Sequence, residues 1–215
     1  MGSILEMTKY ILGGVGVTVS ISIVTLVLSI PLGMLFAILK ISAPTPIKSI
    51  LNFYTWIFRG TPLLLQLFFV YYGLPIIHPA LAFTDFQAVS ITFTLNYAAY
   101  LTEVFRAGIE SIDFGQYEAA KALGFNYRST MTQIIIPQTI RRIIPSTCNE
   151  SVNLIKDTAL VAVIGMGDIS RTANELASKD LIITPFIIAG VIYLILTSVI
   201  MHVFKKIEKK YSFYL

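Results

Sequence analysis

The sequence has 215 residues, of which 55% are hydrophobic and 13% are charged, and its mean hydropathy is +0.76. A soluble domain of this size carries about 25% charged residues, so these values exclude an ordinary soluble enzyme or binding domain. The net charge of +4 is attributed to lysines and arginines beside membrane spans rather than to nucleic-acid binding, and a single cysteine excludes an intrachain disulfide.

The apolar residues fall into runs close to the ~20 residues that a helix needs to cross a hydrocarbon core. We predict an all-α integral membrane protein with a single transmembrane domain over residues 1–215 and five spanning helices. The predicted spans cover residues 11–39, 53–77, 86–107, 138–164 and 181–204. The second span is interrupted early by the sequence RGTP at residues 59–62.

The distribution of positive residues predicts the orientation of these spans. With the N-terminus outside and the C-terminus inside, twelve of the sixteen lysines and arginines lie in inner segments and Lys156 lies within the fourth span. The three in outer segments are Lys9, Arg171 and Lys179. This orientation places residues 113–137 in the cytoplasm.

The stretch 113–137 is too short and too polar to cross a bilayer. A short helix is predicted over residues 116–123, with Glu118 in its first turn, where the helix dipole favours an acidic residue. Gly124 follows at the position where a left-handed residue commonly ends a helix. Such a helix is about 12 Å long and marginal alone in water, so it needs a surface to pack on. Its predicted close-approach face consists of Ala119, Ala120 and Leu123.

The spacing of these residues resembles a known motif. Glu118-Ala119-Ala120, Gly124, Ile134, Ile136 and Pro137 resemble the EAA loop of ABC-importer membrane subunits, although Ile136 stands where that motif has leucine. In that family the loop folds as a coupling helix set into a cleft of the cytoplasmic ATPase. The resemblance implies a coupling role for Tyr117, Glu118, Ala119, Ala120, Leu123 and Gly124. On helix physics alone, a solvated connector between two spans is the alternative.

Two further segments indicate which group of ABC-importer membrane subunits the sequence resembles. FRGTPLLLQLFFVYYGLP at residues 58–75 and NYAAYLTEVFRAGIESI at residues 96–112 resemble polar amino acid permeases of the histidine/glutamine type. The resemblance implies a multi-pass permease of the bacterial cytoplasmic membrane. Its implied partners are a cytoplasmic ABC ATPase, an extracytoplasmic solute-binding protein and a second permease, either identical, as a homodimer, or related.

The sequence contains no G-x-x-x-x-G-K-[ST] loop that could hold the phosphates of ATP. ATP and Mg²⁺ are therefore expected on the partner ATPase. The chain itself is expected to bind no cofactor and no metal and to be a transporter subunit rather than an enzyme.

Polar residues recur along the third and fourth predicted spans. Ionisable residues inside a membrane are costly and usually face a bundle interior or a water-filled cavity. Positions spaced by three or four share one helical face, and here they are Thr92, Asn96, Tyr100 and Glu103, then Ser146, Glu150, Asn153 and Asp157. We predict that both faces line one translocation cavity. The predicted substrate-binding residues are Asn96, Tyr100, Glu103, Glu150, Asn153, Lys156 and Asp157.

These charges suggest a substrate. Lys156 is expected to attract the carboxylate of an amino acid, and Asp157 or Glu150 its ammonium group, while Glu103 is available for a third charge. The acidic excess favours a basic amino acid such as arginine, lysine or histidine. Purely structural roles are the alternatives: Lys156 and Asp157 as pairs with other helices, Glu103 with Arg106 as a helix-surface pair, and Asn96 as an interhelical hydrogen bond.

A secondary transporter driven by an ion gradient is the alternative function. Such proteins are commonly built from inverted repeats with paired broken helices, and no such repeat is evident in this sequence. Five spans also cannot divide into equal halves.

The sequence GMGD at residues 165–168 is predicted to form the turn at the outer end of the fourth span. Asp168 is placed to cap a short outer helix through residues 171–177. A contact with a solute-binding protein is the alternative role for this turn.

Overall fold

The computed structural model describes residues 3–211, so residues 1, 2 and 212–215 of the predicted domain lie outside it. Within the described range all regular secondary structure is helical. The α-helices are α1 (Ile4–Leu12), α2 (Val15–Ser42), α3 (Thr45–Gly60), α4 (Leu63–Phe68), α5 (Leu74–Ile77), α6 (Asp85–Glu110), α7 (Phe114–Ala122), α8 (Tyr127–Thr130), α9 (Ile136–Asp157), α10 (Ile169–Asp180) and α11 (Thr184–Tyr211). Between them lie π-helical turns at Phe69–Gly73 and Met131–Ile135 and 3₁₀ turns at Pro79–Leu81 and Thr158–Ile164.

The positions of the helices in the sequence can be compared with those of the predicted spans. The first predicted span, 11–39, covers parts of two helices, α1 and α2. The second, 53–77, is bent by 106° between Thr45–Gly60 and Leu63–Ile77, so the interruption expected at RGTP is a sharp change of direction. The third and fifth spans coincide in position with α6 and α11, and the fourth with α9 and the 3₁₀ turn that follows it.

The helices differ in how apolar they are. By length and hydropathy, two stretches in the described part of the chain could cross a membrane, Ile4–Ser42 and Thr184–Lys210, and the bent pair Thr45–Gly60 with Leu63–Ile77 could supply a third. Helices α6 and α9 are long enough, with 26 and 22 residues, but their composition is more polar. Helix α6 packs along α2, and α9 packs against α6 and α11. Helix α6 therefore lies at the centre of the bundle, whereas α9 keeps one face exposed.

Helices α2 and α6 approach each other closely along a line of small residues. The buried small positions of α2 are Thr18, Ser22, Thr25, Ser29, Gly33 and Ala37, spaced by three or four residues. A Cβ atom added at Gly33 would lie 2.9 Å from the Leu101 Cβ and 3.2 Å from the Thr102 backbone nitrogen. Because backbone atoms of α6 cannot move aside easily, this crossing requires glycine. The contact fixes the position of α6 and of the polar residues that it carries.

Helix α10 lies at the end of the bundle where α9 finishes. Asp168 caps it as predicted: its carboxylate accepts hydrogen bonds from two backbone N–H groups of the first turn, at 2.8 and 3.0 Å. Helix α10 includes the predicted range 171–177. On the same surface, the Glu175 carboxylate accepts from Arg171 Nε and from the Tyr10 hydroxyl, both at 2.8 Å. These hydrogen bonds, that from Arg171 first, lower the pKa of the Glu175 carboxyl.

Candidate functional site

The sharp bend after α3 has a local cause. Thr61 precedes Pro62 and is extended, with φ −122° and ψ 148°, because a following proline disfavours the helical region. The Phe58 carbonyl lacks its usual helical partner, since the residue four positions later is Pro62, which has no N–H. Asn96 Nδ2 and Gln66 Nε2 donate to this carbonyl instead, each at 3.0 Å. Asn96 Nδ2 also donates to Gln66 Oε1 at 3.0 Å, so its amide hydrogens tie the bend to α6.

A cavity of about 570 Å³, here called the central cavity, lies between this bend, α6 and α9. Residues 61–64 of the bend form one wall. The structure brings six of the seven predicted substrate-binding residues to this cavity: Asn96, Tyr100, Glu150, Asn153, Lys156 and Asp157. The polar faces of α6 and α9 thus meet at one cavity over part of their length.

The central cavity carries two carboxylates and one ammonium group. The Asp157 carboxylate is half-buried, and its Oδ2 accepts from the Tyr97 hydroxyl at 2.7 Å. Lys156 is exposed and takes part in no ion pair with any residue between 3 and 211, whereas Asp157 is bonded to another helix through Tyr97, as its structural alternative expects. The charge of Lys156 acts on Asp157, and the charge of Arg59 acts on Glu150 more strongly than that of Asp157 does. The two carboxylates of the central cavity therefore each have a cation near them.

Tyr97 lines the central cavity and was not predicted to do so. It stands one position after Asn96, away from the face marked by a spacing of four, and an aromatic residue there reads as part of the core. The signal that could have found it is the spacing of three to Tyr100, whose ring centroid lies 6.5 Å from that of Tyr97. The hydroxyl of Tyr97 orients the Asp157 carboxylate and joins α6 to α9.

Glu103 lies outside the central cavity, apart from the other six predicted substrate-binding residues. Its Oε1 forms an ion pair with Lys40 Nζ, and its Oε2 pairs with Arg106 Nη2 at 2.8 Å. The side chains of Lys40 and Glu103 are only 7% and 15% exposed. Arg106 also pairs with Glu110 at 2.6 Å. The polar face of α6 therefore leaves the cavity after Tyr100, and Glu103 connects α2 with α6.

The predicted short helix is present as α7, Phe114–Ala122. The Asp113 side chain caps it by accepting from the Gly115 N–H at 2.7 Å. At the other end Gly124 has φ +81°, as its place after the helix predicted. The Phe125 N–H donates to the Ala120 carbonyl, and the Gly124 N–H donates to the Lys121 carbonyl, both at 3.0 Å. This pair of hydrogen bonds is a Schellman ending, which only a residue in the left-handed region can form.

Helix α7 has an inner and an outer side. Ala120 is 1% exposed and Tyr117 packs into the cluster around Phe105 and Ile109, so these two residues attach the helix to its own chain. This corrects the expectation that Ala120 belongs to a face offered to another protein. The exposed predicted coupling residues are Glu118, Ala119, Leu123 and Gly124, and Leu123 is 76% exposed.

A helical bundle with a polar helix at its centre, a charged cavity beside a broken helix and a short helix exposed at one end is the arrangement expected of a membrane transport subunit. The chain belongs to the family of binding-protein-dependent transport system inner membrane components, whose pattern matches residues 29–213. It is therefore a membrane-embedded permease subunit.

Two similar proteins are named as permeases of amino acid transport systems. The arginine transport system permease protein ArtQ of Bacillus subtilis is 41% identical over 204 residues, which cover 94% of this chain and 92% of that protein. The putative glutamine transport system permease protein GlnP of Rickettsia typhi is 43% identical over 202 residues, with 94% and 92% covered. Neither supports the alternative of an ion-gradient transporter.

Solved structures agree with this assignment. A crystal structure of an amino acid ABC transporter with histidines matches with a TM-score of 0.87 and 32% identity, covering 98% of this chain and 99% of that chain. The MetNI methionine ABC transporter in an inward-facing conformation matches with a TM-score of 0.78 at 17% identity, and that likeness concerns the fold alone.

Proposed function

We propose that this chain forms the translocation pathway of an ATP-driven importer for polar amino acids. The observation that carries the proposal is the central cavity, in which the carboxylates of Glu150 and Asp157 lie with the unpaired ammonium group of Lys156. Such a set of charges complements a small zwitterion. The similar proteins named for arginine and glutamine transport, and the similar structure of an amino acid transporter with histidines, support the same substrate class.

Within this class the cavity favours a basic amino acid. Without Glu103, the central cavity still holds two carboxylates and one ammonium group, which match the two cations and one anion of arginine or lysine. In this arrangement Lys156 binds the carboxylate, and Asp157 and Glu150 bind the two cationic groups. Asn153 and Tyr100 supply neutral hydrogen-bonding groups to the walls, while Asn96 holds the bend in place.

The membrane arrangement is part of the proposal. The chain crosses the bilayer five times, with its N-terminus outside and its C-terminus and α7 in the cytoplasm, as the twelve inner lysines and arginines indicate. The polar helix α6 crosses the membrane packed along α2, and α9 crosses beside it, packed on α6 and α11. This arrangement places the central cavity between the two membrane surfaces, with α7 at the inner end.

Coupling to ATP takes place through partners. The exposed side of α7, formed by Glu118, Ala119, Leu123 and Gly124, docks onto a cytoplasmic ABC ATPase, which binds ATP and Mg²⁺. A solute-binding protein delivers the amino acid from outside. A second permease, identical or related, completes the pathway, and nucleic acid has no part in it.

Reconstitution tests the proposal directly. Phospholipid vesicles containing this chain and its ATPase should accumulate labelled arginine from an external solute-binding protein only when ATP is present inside. Vesicles with the chain alone, or with AMP-PNP in place of ATP, are the controls. Uphill accumulation by the chain without its ATPase, or accumulation that an ionophore abolishes while ATP remains high, would refute the proposal.

Asp157→Asn should change the choice of substrate. It removes one of the two carboxylates, so arginine uptake should fall at least about tenfold more than glutamine uptake, since a hydrogen bond to a charged group contributes about 1.5–3 kcal/mol. The measurement is kcat/KM for both amino acids in reconstituted vesicles. Asp180→Asn, at an exposed carboxylate that ends α10, is the matched control and should leave the ratio unchanged. An unchanged arginine-to-glutamine ratio in Asp157→Asn would remove Asp157 from the substrate site.

A further inference from the structure

A second polar cavity lies between the central cavity and the end of the bundle that carries α7. It has a volume of about 660 Å³ and is called the inner cavity here. The residues lining it that matter to its chemistry are Lys40, Trp56, Arg59, Glu103, Arg106 and Glu110. It contains three cations and two anions, so one positive charge has no anion to balance it.

Within the inner cavity the cation without an ion pair is Arg59, whose charge also acts on Glu150 of the central cavity. Lys40 and Arg106 both pair with Glu103, and Arg106 pairs with Glu110 as well. Arg59 is exposed and takes part in no ion pair with any residue in the described range 3–211. Its guanidinium N–H groups are therefore free to bind an anion, and a guanidinium matches a carboxylate through two parallel hydrogen bonds.

Arg59 is nevertheless held in one place. Its guanidinium carbon lies 5.4 Å from the centre of the Tyr100 ring, in a cation–π contact, and the Tyr100 hydroxyl lies 3.5 Å from the Arg59 carbonyl. A cation that is oriented but unpaired is preorganised for a ligand, because less freedom is lost on binding.

Tyr100 also places Arg59 on the route out of the central cavity. Tyr100 lines the central cavity and Arg59 lines the inner cavity. The contact between their side chains therefore lies where the two cavities meet. Along α6, the polar side chains continue from Tyr100 through Glu103 and Arg106 to Glu110, about 15 Å further toward α7 at 1.5 Å per residue. A ligand that passes Tyr100 in this direction meets Arg59 first.

We propose that the inner cavity is a second amino acid site, in which Arg59 binds the carboxylate of the imported amino acid after it leaves the central cavity. Trp56, which lines the inner cavity and is 70% exposed, offers an aromatic surface to the side chain of the amino acid. When product accumulates inside, it occupies this site and slows further import. This inference rests on the proposed function.

The test compares vesicles whose lumen is empty with vesicles preloaded with unlabelled arginine. They contain the complex of this chain with its ATPase and enclosed ATP, and the initial rate of labelled arginine uptake is measured. Lumenal arginine should inhibit the wild-type complex, and lumenal argininamide, which lacks the carboxylate, should need about a tenfold higher concentration for the same inhibition. This comparison uses the wild-type chain, so it does not depend on a variant's folding.

Arg59→Gln should raise the half-inhibiting concentration of lumenal arginine at least about tenfold, to the value for argininamide, when the inhibition of each complex is expressed relative to its own rate into empty vesicles. Arg171→Gln, at an arginine of α10 whose side chain is 40% exposed, is the control and should show wild-type inhibition. Equal inhibition by arginine and argininamide in the wild type, or an unchanged half-inhibiting concentration in Arg59→Gln, would overturn the inner site. Absence of ATP-dependent uptake into empty wild-type vesicles would instead overturn the proposed function, so the two failures are distinguishable.

Discussion

Replacing Glu103 with glutamine should destabilise the permease strongly without changing its choice of substrate. The carboxylate of Glu103 is the shared anion of Lys40 and Arg106, and the Lys40 side chain is almost fully buried. Removing one partner of a buried ion pair leaves an uncompensated charge and costs about 3–5 kcal/mol. The melting temperature of the detergent-solubilised protein should fall by on the order of 10 °C. The ratio of arginine to glutamine uptake should stay unchanged, in contrast to Asp157→Asn.

Two control variants separate burial from the mere loss of a charge. Glu175→Gln breaks an exposed pair with Arg171, so it should cost no more than about 1 kcal/mol. Adding Lys40→Met to Glu103→Gln removes the orphaned cation and should restore part of the lost stability. A melting temperature for Glu103→Gln equal to that of Glu175→Gln, or a changed preference between arginine and glutamine, would contradict this account.

The sequence predicted the α9 side of the central cavity well. Glu150, Asn153 and Asp157 recur at helical spacing on a single uninterrupted helix, and Lys156 is adjacent to them. For such a set, periodicity alone determines the shared face. The cost of placing charges within a membrane then indicates that this face points inward.

The same argument could not separate Glu103 from the residues of the central cavity, because periodicity gives a face of the helix and not a depth. Glu103 does share a face of α6 with Tyr100, but the cavity ends beyond Tyr100, where α2 brings in Lys40. Lys40 and Glu103 are separated by 63 positions in the chain. No local sequence pattern predicts an ion pair between residues so far apart in the chain. The pair depends on the close crossing of α2 and α6 at Gly33.

In helix α7, too, some features are determined by neighbouring residues in the sequence and others by packing against distant ones. Its two ends follow from adjacent residues, Asp113 as a cap and Gly124 in the left-handed region, and both were predictable. The side that it turns toward its own chain was not predictable, because two turns give too few residues for a periodic pattern. Ala120 is buried while Ala119 is exposed, and only the packing of α7 against the following turns decides between them.

Gly124→Val should separate the permease from its ATPase while leaving the helical bundle intact. Valine at φ +81° is strained by roughly 1–2 kcal/mol, whereas a Cβ there meets no atom of the described residues within 4 Å. The strain therefore acts on the Schellman ending of α7 and changes the position of the exposed Leu123 beside it. We expect the Kd between permease and ATPase in nanodiscs to rise at least about tenfold, with substrate-stimulated ATP hydrolysis lost and the melting temperature of the isolated permease nearly unchanged.

Gly165 offers a matched control for the same substitution. It has φ +90°, is equally open to an added Cβ among the described residues, and lies at the opposite end of α9 from α7. Gly165→Val should therefore carry a similar backbone strain and leave the Kd for the ATPase unchanged. Gly124→Asn should bind the ATPase nearly as well as the wild type, because asparagine tolerates the left-handed region. Wild-type affinity in Gly124→Val, or equal losses in Gly124→Val and Gly165→Val, would show that the ending of α7 does not position the ATPase contact.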